Sequence, residues 1–496
     1  MLDDLSRIGP VLVMAGVAAL LLIWDSLPVG KLPRARGKTL MFVALLGPAG
    51  AAVWAAILLS RDAAGFSFAN SVILDDLTFF FYFLFAAITG AIILASQDYS
   101  RRFGDHEGEF YALILFATSA MLLLSASRDL ILIFVALEMT SITQYILAAL
   151  QKDNRSTEAG VKYLLMGATA SAVILYGMAL LFGLTGTTRL VGPEGAPSIA
   201  AAIADHGGDM GSGLILATVM LIVGLSFKMA VVPFQMWAPD VYEGAPTPVA
   251  AFLSVASKAV AFAVVLRIFF EGLPDKTIAG DWADIFAVLA AVSMTMGNLF
   301  ALVQTNIKRL LGYSSIAQAG NFMVGLAAVS AVGGASLGAS GVLFFIASYA
   351  FTNLGAFIVV IAISGRAGSD LISDYAGLFK RAPLLAGALA FAFISLTGIP
   401  PTAGFVAKAY IFNAAIQSDL TWLVIIAVLN SVVSAFYYLS VVRLMFLGEP
   451  VSLERVQTSI SVKVALAVAV AGIIFVGIAP SPLLNAAKDA AAVFTQ

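Results

Sequence analysis

Apolar runs of eighteen or more residues, separated by short polar segments, recur from one end of the chain to the other. Runs of that length read as helices that cross a bilayer. They do not alternate apolar and polar with period two, which excludes a membrane β-barrel. Fourteen spans are predicted, at about 8–24, 39–60, 77–96, 110–126, 130–150, 161–184, 213–240, 246–270, 283–304, 310–331, 337–364, 383–418, 420–447 and 462–480. The first has no basic leader and no small-residue cleavage site, so a retained span is expected rather than a signal peptide.

Two of these runs are too long for one straight crossing. The seventh reaches roughly 42 Å and the twelfth roughly 54 Å at 1.5 Å per residue, against a hydrocarbon core of about 30 Å. Both hold internal prolines, Pro233 and Pro239 in the seventh, Pro400 and Pro401 in the twelfth. Proline removes a backbone donor and clashes with the turn before it. Discontinuous helices are therefore expected at both places, with their freed backbone groups turned toward protein or water.

Composition strengthens this picture. Of 496 residues, 61% are hydrophobic and 11% charged, too little charge for a soluble domain of this length. The expected fold class is an all-α polytopic membrane protein with about 14 transmembrane helices. Basic residues also orient the spans: seventeen, among them Lys31, Arg34, Arg36, Lys152, Arg155, Lys162, Lys308, Arg309 and Lys380, fall in segments on one side, and seven, Arg7, Arg61, Arg128, Arg189, Arg267, Lys276 and Lys488, on the other. The positive-inside rule places the richer side in the cytoplasm and both termini outside.

Candidate chemistry comes from what that census cannot place. Lys228, Lys258 and Lys408 lie deep in spans, and so does one acid, Glu138. An ionisable group at mid-membrane costs a few kcal/mol even on the lenient scale and marks ion or proton pathways. Snorkelling is the bland alternative. It fails for Lys258, about twelve positions or roughly 18 Å from either end of its span. A structural ion pair between Glu138 and Lys228 is a second alternative, but it leaves Lys258 and Lys408 without a carboxylate. Burial favours a neutral amine, whereas a carboxylate favours the ammonium. At an effective dielectric near 20 that attraction is roughly 4 kcal/mol at about 4 Å and half as much at about 8 Å. Moving the partner would thus switch a lysine between holding and releasing a proton.

Polar residues in apolar spans, Ser314, Ser315, Gln318, Asn321 and Asn353, fit either a hydrated path or hydrogen bonds between helices. Asp240 and Glu243, at the cytoplasmic end of the seventh span, read either as interface charges or as proton feeders. His106 and His206 lie in charged stretches and read as solvated loop residues. With no cysteine in the chain, thiolate-held iron–sulfur clusters and disulfides are excluded. No phosphate-cradling or dinucleotide motif appears either.

An internal repeat is also visible. TSITQ (Thr140–Gln144) resembles SSIAQ (Ser314–Gln318), 174 residues on, and Pro233 and Pro400 lie 167 apart. Two five-helix repeats are expected, the second inverted because five is odd. The domain reading is a three-helix segment at 1–109, the first repeat (helices 4–8) at 110–270, the second (helices 9–13) at 283–447, and helix 14 with a tail at 448–496.

The stretch FKMAVVPFQMWAPDVYEGAPTPVAAFLSVASKAVAF (Phe227–Phe262) strongly resembles the seventh and eighth helices of the antiporter-like subunits of respiratory complex I. LGYSSIAQAGNFMVG and GIPPTAGFVAKAYIF (Gly398–Phe412) match further blocks of that family, and the resemblance covers nearly the whole chain. Lys408 fits the branch with a lysine on the twelfth helix, unlike the neighbouring subunit M, which has a glutamate there. The lack of a long amphipathic C-terminal arm argues against subunit L.

The resemblance implies a proton-pumping module of an NADH:quinone oxidoreductase in the bacterial cytoplasmic membrane. Glu138 corresponds to the family's fifth-helix glutamate and Lys228 to its seventh-helix partner. Lys258 corresponds to the eighth-helix central relay and Lys408 to the twelfth-helix terminal lysine. No cofactor is implied in this chain, and flavin, iron–sulfur clusters and quinone are expected in partner subunits. Subunit M and the small membrane subunits A, J and K are the expected neighbours, with the lipid bilayer around them and no nucleic acid. Three rivals stay open on the sequence: a subunit of a multi-subunit cation/proton antiporter, a membrane scaffold with no ion path, and a secondary transporter of small solutes.

Overall fold

The structure, a computed structural model, describes residues 2–26, 37–193, 195–329, 334–450 and 454–495. Lys31, Arg34 and Arg36 of the charge census lie outside the described residues. The chain is built from helices α1 (Leu2–Arg7), α2 (Gly9–Ser26), α3 (Lys38–Ser60), α4 (Asp76–Ala95), α5 (Glu107–Ser125), α6 (Leu130–Ala148), α7 (Asn154–Thr185), α8 (Ile199–Met229) and α9 (Trp237–Gly244). A continuous helix, α10 (Thr247–Gly272), follows. The remainder are α11 (Lys276–Ala301), α12 (Ile307–Ala327), α13 (Gly334–Ala367), α14 (Pro383–Thr397), α15 (Ala403–Gln417), α16 (Thr421–Leu447), α17 (Ile460–Ile478) and α18 (Ser481–Ala491).

Helix lies on each of the fourteen stretches read as spans. Among the described residues, twelve helices are long and apolar enough to cross a membrane, and α14 is a shorter apolar one. The polar segments between them are capping chemistry. Asp75, Asp129, Asp153 and Asn306 each accept hydrogen bonds from the first free backbone N–H groups of α4, α6, α7 and α12, donors that a helix start cannot satisfy internally. A short antiparallel hairpin, Gly65–Ser67 with Val72–Leu74, joins α3 to α4.

The most enclosed helices are α10 and α13. All of the most apolar stretch of α10 and 94% of that of α13 are buried, against 33% for α2, α3 and α17 at the rim. Helices α11 and α12 pack backbone to backbone. A Cβ added at Gly297 would come within 2.7 Å of the Ala317 nitrogen, and one at Gly320 within 2.8 Å of the Ala290 oxygen.

Both long spans are broken. Helix α8 ends at Met229, Ala230 takes a left-handed φ of 56°, and α9 begins at Trp237. Pro233 lies in this gap. Pro239, expected to take part in the break, instead sits in the first turn of α9, where a missing N–H costs nothing. Helix α14 ends at Gly398, whose φ of 90° suits glycine, and Pro400 and Pro401 occupy the gap before α15.

Candidate functional site

The three lysines that the loops could not claim are all buried, and each is held by a different partner. Lys228 stands in the last turn of α8, beside the first break. Its ammonium donates to the Ser141 hydroxyl on α6 and lies 5.6 Å from the Tyr145 ring centre and 5.7 Å from that of Phe227. Glu138, one turn before Ser141, is only half-buried and accepts from Ser171 on α7. The two charges thus bond to separate serines, and the direct Glu138–Lys228 ion pair is not formed. Lys258 follows a π-helical turn, Leu253–Ser257, a local widening that is frequent at functional sites. It donates to the Ser315 carbonyl on α12.

Lys408, on α15, reaches back across the second break. Its Nζ donates to the carbonyls of Thr397 at 2.9 Å and Leu396 at 3.2 Å, and to Ser431 Oγ at 3.2 Å. Those carbonyls end α14, where helix interruption leaves acceptors free and concentrates partial negative charge.

Polar side chains connect these anchors. Gln144 Oε1 accepts from Tyr163 at 3.0 Å and Ser257 at 3.1 Å, and Ser257 precedes Lys258 in sequence. A cavity of about 20 Å³ is lined by Ser141, Gln144, Lys228 and Ser257, room for one water. Beyond Lys258, Tyr349 donates to Ser315 Oγ at 3.3 Å. A second cavity, about 10 Å³, joins Tyr349, Gln318, Thr352 and Ser395 to Lys408. Gln318 donates to the Leu396 carbonyl at 3.1 Å, the same oxygen that Lys408 uses.

Of the other polar residues, Ser314 bonds Tyr438 on α16. Asn353 donates to Ser254 at 2.7 Å. Asn321 stays within its own helix. Interhelical bonding and a polar path therefore share this set. Ser141, Gln144, Ser171 and Ser257 escaped the sequence reading. Their signal was position: Ser141 stands about one turn after Glu138 and Gln144 about one turn after Ser141, and Ser257 adjoins Lys258.

A buried cluster also escaped it. Arg267 and Arg128, assigned to the outer segments by charge, are both buried. Arg267 grips Asp75 through both terminal nitrogens, at 2.6 and 2.7 Å, and Glu271 at 2.5 Å. Arg128 lies 2.6 Å from Glu271. Lys308, counted as a loop cation, is buried against Asp370 at 3.0 Å.

Buried titratable groups strung between two broken helices define a class, the helical ion-translocating membrane protein. Sequence comparison narrows it. Residues 127–434 match the family described as NADH:quinone oxidoreductase/Mrp antiporter, TM. A protein of Dehalococcoides mccartyi named NADH-quinone oxidoreductase subunit N is 42% identical over 96% of both chains. A subunit N of Chloroflexus aggregans is 40% identical over 97% of this chain and 96% of its own. Among solved structures, a chain of respiratory complex I from Thermus thermophilus is 31% identical, with a TM-score of 0.77 over 96% of this chain and 98% of its own. A chain of the Mrp complex of Dietzia sp. DQ12-45-1b shares the fold, at TM-score 0.84 and 20% identity over 99% and 97%. The chain belongs to the NADH-quinone oxidoreductase subunit N family, within the antiporter-like membrane subunits.

Proposed function

We propose that this chain is a proton-translocating membrane subunit of NADH:quinone oxidoreductase and that Lys228, Lys258 and Lys408 carry the proton, with Glu138 setting the charge state of Lys228. The observation that carries the reading is the polar connection itself. Three buried amines, far apart in sequence, are joined through Ser141, Gln144, Ser257, Ser315, Tyr349 and Gln318 and by two cavities of water size.

The chemistry follows from the partners. In the arrangement described, Glu138 is turned to Ser171 and Lys228 to Ser141. Bringing Glu138 nearer favours the ammonium by a few kcal/mol, and withdrawing it favours release. A proton released there finds Gln144 and Ser257 on the way to Lys258. The α14 carbonyls then receive it as the Lys408 ammonium. Residues 110–270 (α5–α10) and 283–447 (α11–α16) act as two inverted units, each with one broken helix and one lysine at the break.

Glu138 also supports the assembly. It lies among Ile131, Val135, Met139 and Ile142, which are 63, 46, 46 and 52% exposed. A half-buried carboxylate amid an apolar face needs a protein neighbour at membrane depth. Subunit M or the small subunits A, J and K fill that place, and a signal reaches Glu138 through them. Redox chemistry, with its flavin, clusters and quinone, belongs to the partner subunits. The complex as a whole is the translocase, in the bacterial inner membrane with both termini of this chain periplasmic.

Lys228→Ala and Glu138→Ala in the assembled enzyme test the relay. Both variants are expected to lower the protons moved per electron in proteoliposomes. A wild-type ratio in both variants overturns the relay.

A further inference from the structure

Asp240 and Glu243 stand three residues apart on α9, the second, shorter fragment of the first broken span. Each carboxylate uses both of its oxygens. Arg309 on α12 donates to Asp240 at 2.6 Å and to Glu243 at 3.0 Å. Arg155 on α7 takes the other Glu243 oxygen at 2.8 Å, and Lys162 the other Asp240 oxygen at 3.3 Å. Lys162 also reaches Glu158 at 2.8 Å. Three acids and three bases thus alternate around an open cavity of about 230 Å³. Charge cancels, so the cavity is no anion site. What the six residues accomplish is mechanical: they tie α9 to α7 and to α12.

Behind this mouth the way inward is packed with aromatic rings. The Tyr163 ring, next to Lys162 on α7, stacks on Trp237 of α9 with centres 4.4 Å apart and planes 8° from parallel. Phe227 lies 5.4 Å from Trp237, and Tyr145 lies 4.8 Å edge-on to Tyr163. Tyr163 bonds Gln144 on the inner side, and Gln144 lines the small cavity beside Lys228. The Gln144 Nε2 is buried and has no hydrogen-bond partner. A buried amide donor left unpaired is costly and is the group that an incoming water would satisfy.

Trp237, Asp240 and Glu243 share one eight-residue helix, which is flanked by the irregular Val231–Met236 segment and by the extended Ala245. Such a fragment moves as a unit about its ends. We propose that α9 is a gate leaf: the Arg155–Glu243–Arg309–Asp240–Lys162 clasp holds it shut, and the Tyr163–Trp237 stack seals the aqueous mouth from the cavity beside Lys228. Opening the clasp lets α9 tilt, parts the stack and admits water to Gln144. This deepens the relay reading, because it rests on Lys228 as the proton carrier, and it gives Asp240 and Glu243 a positioning role rather than a proton-carrying one.

The chain has no cysteine, so a single introduced thiol is the only one it can offer to a reagent. In the assembled enzyme, Gln144→Cys is labelled from the mouth side by a small, charged methanethiosulfonate, and the label on this subunit alone is counted. Adding Arg309→Gln is expected to speed labelling roughly fivefold, the population shift from losing the two partly exposed ion-pair contacts of that side chain. Trp237→Ala is expected to do the same, and the two together no more than Trp237→Ala alone. Arg309→Lys, which keeps a cation, restores slow labelling. Equal rates in all backgrounds overturn the gate. If either variant fails to assemble, Asp240→Asn, which keeps the side-chain shape and weakens the clasp, carries the same expectation. Labelling does not depend on whether Lys228 carries protons. A failed gate is therefore separable from a failed relay, which Lys228→Ala reports on its own.

Discussion

A buried lysine can relay a proton only if its surroundings tolerate both the ammonium and the amine. Lys408 meets two carbonyls and a hydroxyl, groups that solvate an ammonium without supplying a counter-charge. Nothing in that set traps the proton permanently, as a carboxylate at contact distance would. Arginine there would keep the cation but never lose it, because guanidinium does not deprotonate in proteins. Lys408→Arg is therefore expected to assemble and reduce quinone while moving fewer protons per electron, to the level of Lys408→Ala. Proteoliposome acidification against NADH consumption measures this, and a wild-type ratio would remove Lys408 from the relay. The four ionisable residues were legible in the sequence because hydropathy leaves them no loop to occupy. Their partners were not. Glu138 bonds Ser171, which lies 33 residues away, and no local spacing rule encodes a contact between helices. The burial of Arg267 was missed for the opposite reason: it lies near a helix end, where charge counting assumes solvent.

That arginine belongs to the scale of elements. Asp75 precedes α4, Arg128 lies between α5 and α6, and Arg267 with Glu271 occupies the outer end of α10. The four therefore bind three parts of the fold near one membrane surface. Burial alone would raise the Asp75 carboxyl. The charge and hydrogen bonds of Arg267, and then the charge of Arg128, more than offset this and hold it below the usual carboxylate range. Its contribution is thus complete above the ordinary aspartate value of about 3.9 and is lost as pH falls through the lowered one. Removing one member of a buried ion network costs about 3–5 kcal/mol, since the remaining charges lose their partner. Arg267→Met is expected to lower the melting temperature of the purified enzyme, and unchanged melting would show the cluster to be dispensable. Span positions and both helix breaks were legible, since run length and proline act locally. The hairpin was not, because strands of three residues are too short to show alternation. The π-helical turn before Lys258 was hidden too, since it depends on packing within a wholly buried helix.

At the scale of the molecule, every functional statement depends on which way the chain faces. The charged mouth, the gate leaf and Lys228 lie toward the side that holds most of the basic residues, including Lys152, Arg155, Lys162 and Arg309. In the orientation that the positive-inside rule leads us to propose, that side is cytoplasmic, and the proposed clasp then controls uptake from the cytoplasm. Helix α18 and the termini then stand on the opposite surface. The absence of cysteine makes this directly measurable. Lys488, in the last turn of α18, and Lys380, in the segment before α14, lie on opposite sides in this reading. An impermeant thiol reagent is expected to label Lys488→Cys in right-side-out vesicles and Lys380→Cys only in inverted ones. The reverse pattern would leave the clasp and the seal where they are and invert their meaning. The mouth would then be the place of release, and Lys228 the last lysine that the proton visits.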